Sequence, residues 1–156
     1  MRLSDLPFPS DELVATHFVV ADDIEKTAHF YSDVLGGEVV WTRSLPGAPT
    51  YVRLANIWII INKGGGPTPD KPAVVLDVRR DSGRFDSFLN LRVADIHQTY
   101  DEWTRRGATF LTPPLDNHGY ELRCYVVDPD NRIIEVGQWT RFLEDLKRSE
   151  MAVGHA

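Results

Sequence analysis

The stretch Val19-Val20-Ala21-Asp22-Asp23-Ile24 leads into an apolar-periodic segment that stops at Leu35-Gly36-Gly37, and its pattern returns as Leu91-Arg92-Val93-Ala94-Asp95-Ile96, stopping at Arg106-Gly107. Each copy opens with a short apolar strand and turns at an Asp that can accept the free N–H groups of a helix start. Each helix then ends at a Gly, which leaves a helix without strain. Strand-like runs divided by Gly and Pro follow in both copies. The order strand, helix, strand, strand, strand is thus written twice. Two βαβββ modules of an α+β chain are expected, with function between them, because neither half-sheet is large enough to enclose a ligand.

Working outward, module one spans about 13–63. Leu13 to Ala21 reads as a strand and Asp23 to Leu35 as a helix, with Ile24, Thr27, Ala28, Tyr31, Val34 and Leu35 near 3.6 periodicity. Strands Glu38 to Arg43, Tyr51 to Leu54 and Ile57 to Ile61 follow, the last two joined by a tight turn at Ala55-Asn56. A linker over about 64–86 carries Gly64-Gly65-Gly66 and Pro67, Pro69 and Pro72, which exclude regular structure there. The Gly run has no following Lys-Ser/Thr, so it is no phosphate loop. Module two, about 87–139, has strands Phe88 to Val93, Thr109 to Leu111, Tyr120 to Val127 and Arg132 to Gly137, with a helix from Asp95 to Arg105. A C-terminal helix over about 140–149 places Phe142, Leu143 and Leu146 on its apolar side.

At 156 residues and 42% hydrophobic content the chain is long enough for a single well-buried domain. A formal charge of -6 without a basic cluster argues against nucleic acid as a partner. The opening Met1-Arg2-Leu3-Ser4-Asp5-Leu6-Pro7-Phe8-Pro9 lacks an apolar signal core, and no run approaches a membrane span, so no membrane partner and a cytoplasmic address are expected. The single cysteine, Cys124, sits between Leu122 and Val126 on one strand face and reads as a buried thiol. His29 and His97 read as surface helix residues.

The doubled pattern, Phe30-Tyr31 followed by Val34-Leu35-Gly36, and above all Asp128-Pro129-Asp130-Asn131-Arg132-Ile133-Ile134-Glu135, resemble the vicinal oxygen chelate superfamily. That group includes glyoxalase I, extradiol dioxygenases, bleomycin- and fosfomycin-resistance proteins and methylmalonyl-CoA epimerase. The resemblance covers roughly residues 13 to 139. It implies an incomplete eight-stranded barrel with helices outside, enclosing a divalent metal (Fe, Mn, Zn or Ni) that the substrate chelates. A homodimer is implied as well.

In that family the metal ligands come from the first and last strands of each module. Glu135 matches the last-strand carboxylate of module two. His17 lies six residues before Asp23, where the family spacing of seven falls on Thr16. A slip of one residue reverses facing unless a bulge restores it. Phe88 or Asn90 stands at the matching place in module two, and Trp58 at the last strand of module one. The surviving metal candidates are His17 and Glu135.

With Glu135 facing the cavity, period-two alternation brings Asn90, Arg92, Glu121, Arg123 and Tyr125 to the same side, while Arg53, Trp58 and Asn62 contribute from module one. Arg53, Trp58, Asn62, Asn90, Arg92 and Glu121 are candidate substrate contacts. Glu135, Arg123, Tyr125 and His118 are the catalytic candidates, His118 because Asn117-His118-Gly119 precedes the Glu121 strand and could close over the cavity. Guanidinium forks beside aromatic rings suit a planar or anionic small molecule. Three functions remain open. One is a metal-dependent lyase, isomerase or dioxygenase. The second is a metal-free protein that sequesters its ligand, as the bleomycin-resistance branch does. The third is a metal-independent enzyme with Glu135 as general base.

Overall fold

Asp23 and Asp95 start the two helices in the same way, each from an extended backbone. Asp23 Oδ1 accepts from the Lys26 N–H at 3.0 Å and Asp95 Oδ1 from the Gln98 N–H at 2.9 Å. The computed structural model describes residues 6–7, 13–42, 48–80, 83–141, 144 and 148. In chain order the elements are β1 (Thr16–Val20), α1 (Ile24–His29), β2 (Glu38–Trp41), β3 (Thr50–Leu54), β4 (Ile57–Asn62), β5 (Leu89–Arg92), α2 (Ile96–Arg105), β6 (Thr109–Asn117), β7 (Glu121–Val127) and β8 (Ile133–Trp139). The chain is therefore α+β with two βαβββ modules. Each builds its own four-stranded sheet, ordered β1-β4-β3-β2 and β5-β8-β7-β6.

The residues group into two compact units, Met1–Gly83 with Pro129–Asn131, and Arg84–Asp128 with Arg132–Ala156. In the first unit α1 packs on β3 and β4, over a core containing Val19, Ile24, Tyr31, Val52, Ile59 and Ile61. The expected helix to Leu35 is not α-helical throughout, because Phe30–Val34 widens into a π turn in which the Leu35 N–H reaches the Phe30 carbonyl at 3.0 Å. Gly36 then leaves the helix at φ 85. Gly37 has another reason to be glycine: a Cβ there would stand 2.6 Å from the Tyr31 carbonyl oxygen and 2.9 Å from Val52 Cγ1. The turn at Ala55-Asn56 closes β3 onto β4, with Leu54 opposite Ile57 and Ala55 at φ 52.

In the second unit α2 packs on β6 and β8, and Ile96, Trp103, Cys124, Val126, Ile134 and Val136 are buried. Burial pushes the Cys124 thiol up to about 11, so it is not a nucleophile at neutral pH. β6 runs well past the expected end at Leu111, through Pro113-Pro114, to Asn117. Its pairing with β7 shifts between Phe110 and Thr112 and again between Thr112 and Leu115. Proline lacks the N–H a ladder needs, and an edge strand with bulges tolerates that loss. β8 likewise continues two residues beyond Gly137, to Trp139. Arg141, Glu144 and Arg148 are helical, whereas Phe142, Leu143 and Leu146, the apolar positions expected of that helix, lie outside the described residues. No helix among the described residues is long and apolar enough to cross a membrane.

The Asp128-Pro129-Asp130-Asn131 sequence is a turn held by its own side chains. Buried Asp128 accepts from the Arg132 N–H at 2.9 Å and from Arg132 Nη1 at 2.7 Å, while Asn131 takes φ 62, a conformation Asn tolerates. Asp130 serves the first unit, accepting from the Thr27 hydroxyl at 3.2 Å and the Asp22 N–H at 3.3 Å. Replacing Asp128→Ala removes at least these two hydrogen bonds, one of them to a guanidinium, and is expected to cost about 2–3 kcal/mol or more. Chemical denaturation measures this, and a cost near zero would mean that the turn is held by its backbone alone.

Candidate functional site

Register assigns side chains to faces. β5 pairs parallel with β8, placing Asn90 beside Glu135 and Arg92 beside Gly137, while antiparallel β7 places Tyr125 opposite Glu135, Arg123 opposite Gly137 and Glu121 opposite Trp139. Asn90, Arg92, Glu121, Arg123, Tyr125 and Glu135 therefore share one face of the second sheet, as alternation predicts. Cys124, Val126, Ile134 and Val136 take the face under α2.

These polar side chains form one connected network. Glu135 is 6% exposed, with Oε1 accepting from Asn90 Nδ2 at 2.5 Å and Oε2 from the Tyr125 hydroxyl at 2.8 Å. Arg92 Nη1 donates to Glu121 Oε2 at 2.5 Å, and its Nη2 lies 3.5 Å from Glu135 Oε1. The same guanidinium sits 4.3 Å from the Trp139 ring centre. Asn117 Nδ2 donates to Glu121 Oε1 at 2.9 Å, with Arg123 Nη1 at 3.7 Å from that oxygen. To reach from β5 to β7, Arg92 must cross β8, and it crosses at Gly137, where a Cβ would stand 2.9 Å from Arg92 Cζ and closer still to Nη1.

Burial raises the Glu121 carboxyl, but hydrogen bonds from Arg92 and Asn117 and the charges of Arg92 and Arg123 outweigh it and hold the group below the usual carboxylate range. Burial, then the hydrogen bond to Glu135 and the charge of Glu135, push the Tyr125 hydroxyl above the usual phenol range. The Tyr125 hydroxyl therefore stays protonated at neutral pH and donates a hydrogen bond to Glu135.

The first-module candidates are arranged differently. β1 pairs parallel with β4 without a register break, so His17 lies beside Ile59 on the core face under α1, while Trp58 and Asn62 are on the opposite face. No bulge corrects the offset of His17 from the family spacing. Arg53 stands opposite Trp58 and pairs with Glu38 at 2.6 Å, at an exposed position. Asn62 Oδ1 accepts from the Lys63 N–H at 2.8 Å. His118 is exposed at the β6–β7 hairpin tip, with φ 56 and with Gly119 at φ 77.

Sequence reading missed Gly137, Trp139 and Asn117. Ending β8 at Gly137 hid Trp139, which continues the period-two series from Ile133, and a glycine in a strand is itself the signal of a close approach.

Among the described residues the donors do not assemble a site that fits a divalent ion. A catalytic metal commonly takes about three protein ligands, and among the described residues no group of three or more His, Cys, Asp or Glu side chains is placed to hold one. Both Glu135 oxygens already accept hydrogen bonds, and a guanidinium stands where a cation would be repelled.

The sequence model of the Glyoxalase/Bleomycin resistance protein/Dioxygenase superfamily matches residues 14–136. The chain belongs to this superfamily. No curated protein matches it in sequence. Among solved structures, a Glyoxalase/bleomycin resistance protein/dioxygenase superfamily member from Sphaerobacter thermophilus is 24% identical over 81% of this chain and 97% of its own, with a TM-score of 0.61. An antibiotic binding protein from a Streptomyces species is 19% identical over 85% and 100%, with a TM-score of 0.60. A genomically encoded fosfomycin resistance protein from Listeria monocytogenes is 20% identical over 86% and 96%, again with a TM-score of 0.60. A mutant of that Listeria protein was solved with manganese(II) and a dihydroxypropylphosphonic acid. At these identities the likeness concerns the superfamily fold.

Gly137→Ala tests the crossing. The added methyl displaces the flexible end of Arg92, and Glu121 loses its strongest charged partner. In a carboxyl NMR titration the Glu121 resonance is expected to titrate at higher pH than in the wild type. A lowered native value stabilises the fold above the usual carboxylate range, and this is lost as pH falls through that native value. Acid unfolding of the variant should therefore begin at higher pH, and an unchanged Glu121 titration would refute the crossing.

Proposed function

We propose that this protein is a metal-independent member of its superfamily that binds a small aromatic or anionic molecule against the polar face of the second sheet, as a ligand-sequestering protein. One observation carries the proposal: Glu135, the residue at the superfamily's metal-ligand position, accepts a hydrogen bond on each oxygen, from Asn90 and from Tyr125, and has the Arg92 guanidinium beside it. In this reading Glu135 is an anchor for the network. Arg123 and Tyr125 meet the ligand, and Arg92 with Trp139 forms a flat cationic and aromatic border. The antibiotic binding of the Streptomyces neighbour supports the same direction. Cytoplasmic location and a homodimer belong to the proposal as well.

A second reading rests on the 2.8 Å pair of Tyr125 and Glu135, which can pass a proton to a bound substrate without a metal. It adds turnover to the same binding site.

The test is titration calorimetry with a panel of aromatic carboxylic acids, with and without a chelator, beside elemental analysis of the purified protein. Saturable binding that the chelator leaves unchanged is expected, and Arg123→Ala should weaken it by about tenfold to a hundredfold, the loss of a charge-assisted hydrogen bond. Stoichiometric metal that disappears in Glu135→Ala would overturn the proposal.

A further inference from the structure

Arg92 and Arg123 stand on one face but are held differently. Arg92 is shared between Glu121 and Glu135 and lies over the Trp139 ring. Arg123 has one ionic partner among the described residues, Glu121 Oε1 at 3.7 Å, which is beyond hydrogen-bond reach, and its side chain is 39% exposed. Its planar fork thus keeps a free edge, enough for one carboxylate held by two N–H groups. Glu121 cannot move aside easily, because Arg92 and Asn117 grip one oxygen each and the side chain is 9% exposed.

The formal charges on this face cancel, two guanidinium groups against two carboxylates. An anion on Arg123 therefore binds next to a fixed negative charge. One negative charge is matched by the open fork, while a second has no cation left and faces Glu121 directly. We infer that Glu121 is a specificity-determining residue that sets the charge of the ligand, admitting a monoanionic carboxylate on Arg123 and rejecting a dianion such as a fully ionised phosphonate. This inference rests on the binding function proposed above and adds a charge rule to it.

The experiment compares benzoate with phenylphosphonate, at a pH where the phosphonate carries both charges, by calorimetric titration of the wild type, Glu121→Gln and Glu121→Asp. The wild type is expected to prefer benzoate. Glu121→Gln keeps the shape and an acceptor for Arg92 but removes the charge, and should shift the ratio of the two dissociation constants toward phenylphosphonate by about tenfold or more. Because the ratio is taken within each variant, a general loosening of the site does not move it. Glu121→Asp withdraws the charge by one methylene and should shift the ratio the same way by less. That variant decides the matter if circular dichroism shows the Gln variant unfolded. A ratio that is unchanged, or that moves toward benzoate, overturns the charge rule and leaves the binding function standing. If neither compound binds the wild type or a folded variant, both fall together.

Discussion

Parallel pairing of the first strand with the last is the constraint from which both modules are built. Such pairing cannot be made by a hairpin. It needs a crossover, and in each module the helix supplies its first part and so lands on one face of the sheet. The covered face becomes core and the other is released for chemistry. Register then decides everything further: Asn90 beside Glu135 and Arg92 beside Gly137 follow from one alignment of β5 on β8, and a slip by a single residue would bury the network and expose the core.

Keeping two carboxylates nearly out of water is costly, and one cation does most of the work of making it tolerable. Arg92 touches Glu121, approaches Glu135 and sits over the Trp139 ring. An isolated buried charge would be ruinous, but here each carboxylate also accepts from neutral donors, Asn117 for one and Asn90 and Tyr125 for the other. No buried side-chain nitrogen or oxygen among the described residues lacks a hydrogen-bond partner. Satisfied at its buried atoms, such a network is rigid.

Most of this fold is legible in the residues, because its signals are local. Asp23 and Asp95 mark helix starts, Gly36 and Gly107 mark helix ends, and alternation in β7 separates Cys124 from Arg123 without any knowledge of partners. The failures have equally specific causes. Pro113-Pro114 reads as a strand end because proline is judged alone, whereas an edge position and two register shifts absorb it. The π turn leaves no periodic signature over five residues. His17 shows the limit of spacing arguments: its chemistry suggests a ligand, while an unbroken register turns it to the core face. At the candidate site, the residue types and their common face are readable, but the pairing of Arg92 with Glu121 is not, since it depends on a side chain crossing an intervening strand.

The two prolines of β6 also shape what this edge of the sheet offers. An edge strand ordinarily offers a row of unused donors and acceptors on which a foreign strand can template itself. In the middle of β6 that row is interrupted, Pro113 and Pro114 offering no donor, and the shifts on either side bend the strand out of the regular spacing a newcomer would need. A ladder extended past this edge finds no donor at its middle. What this stretch presents to its surroundings is side chains, with Leu111 and Leu115 exposed on either side of the prolines, and not a continuous backbone ladder.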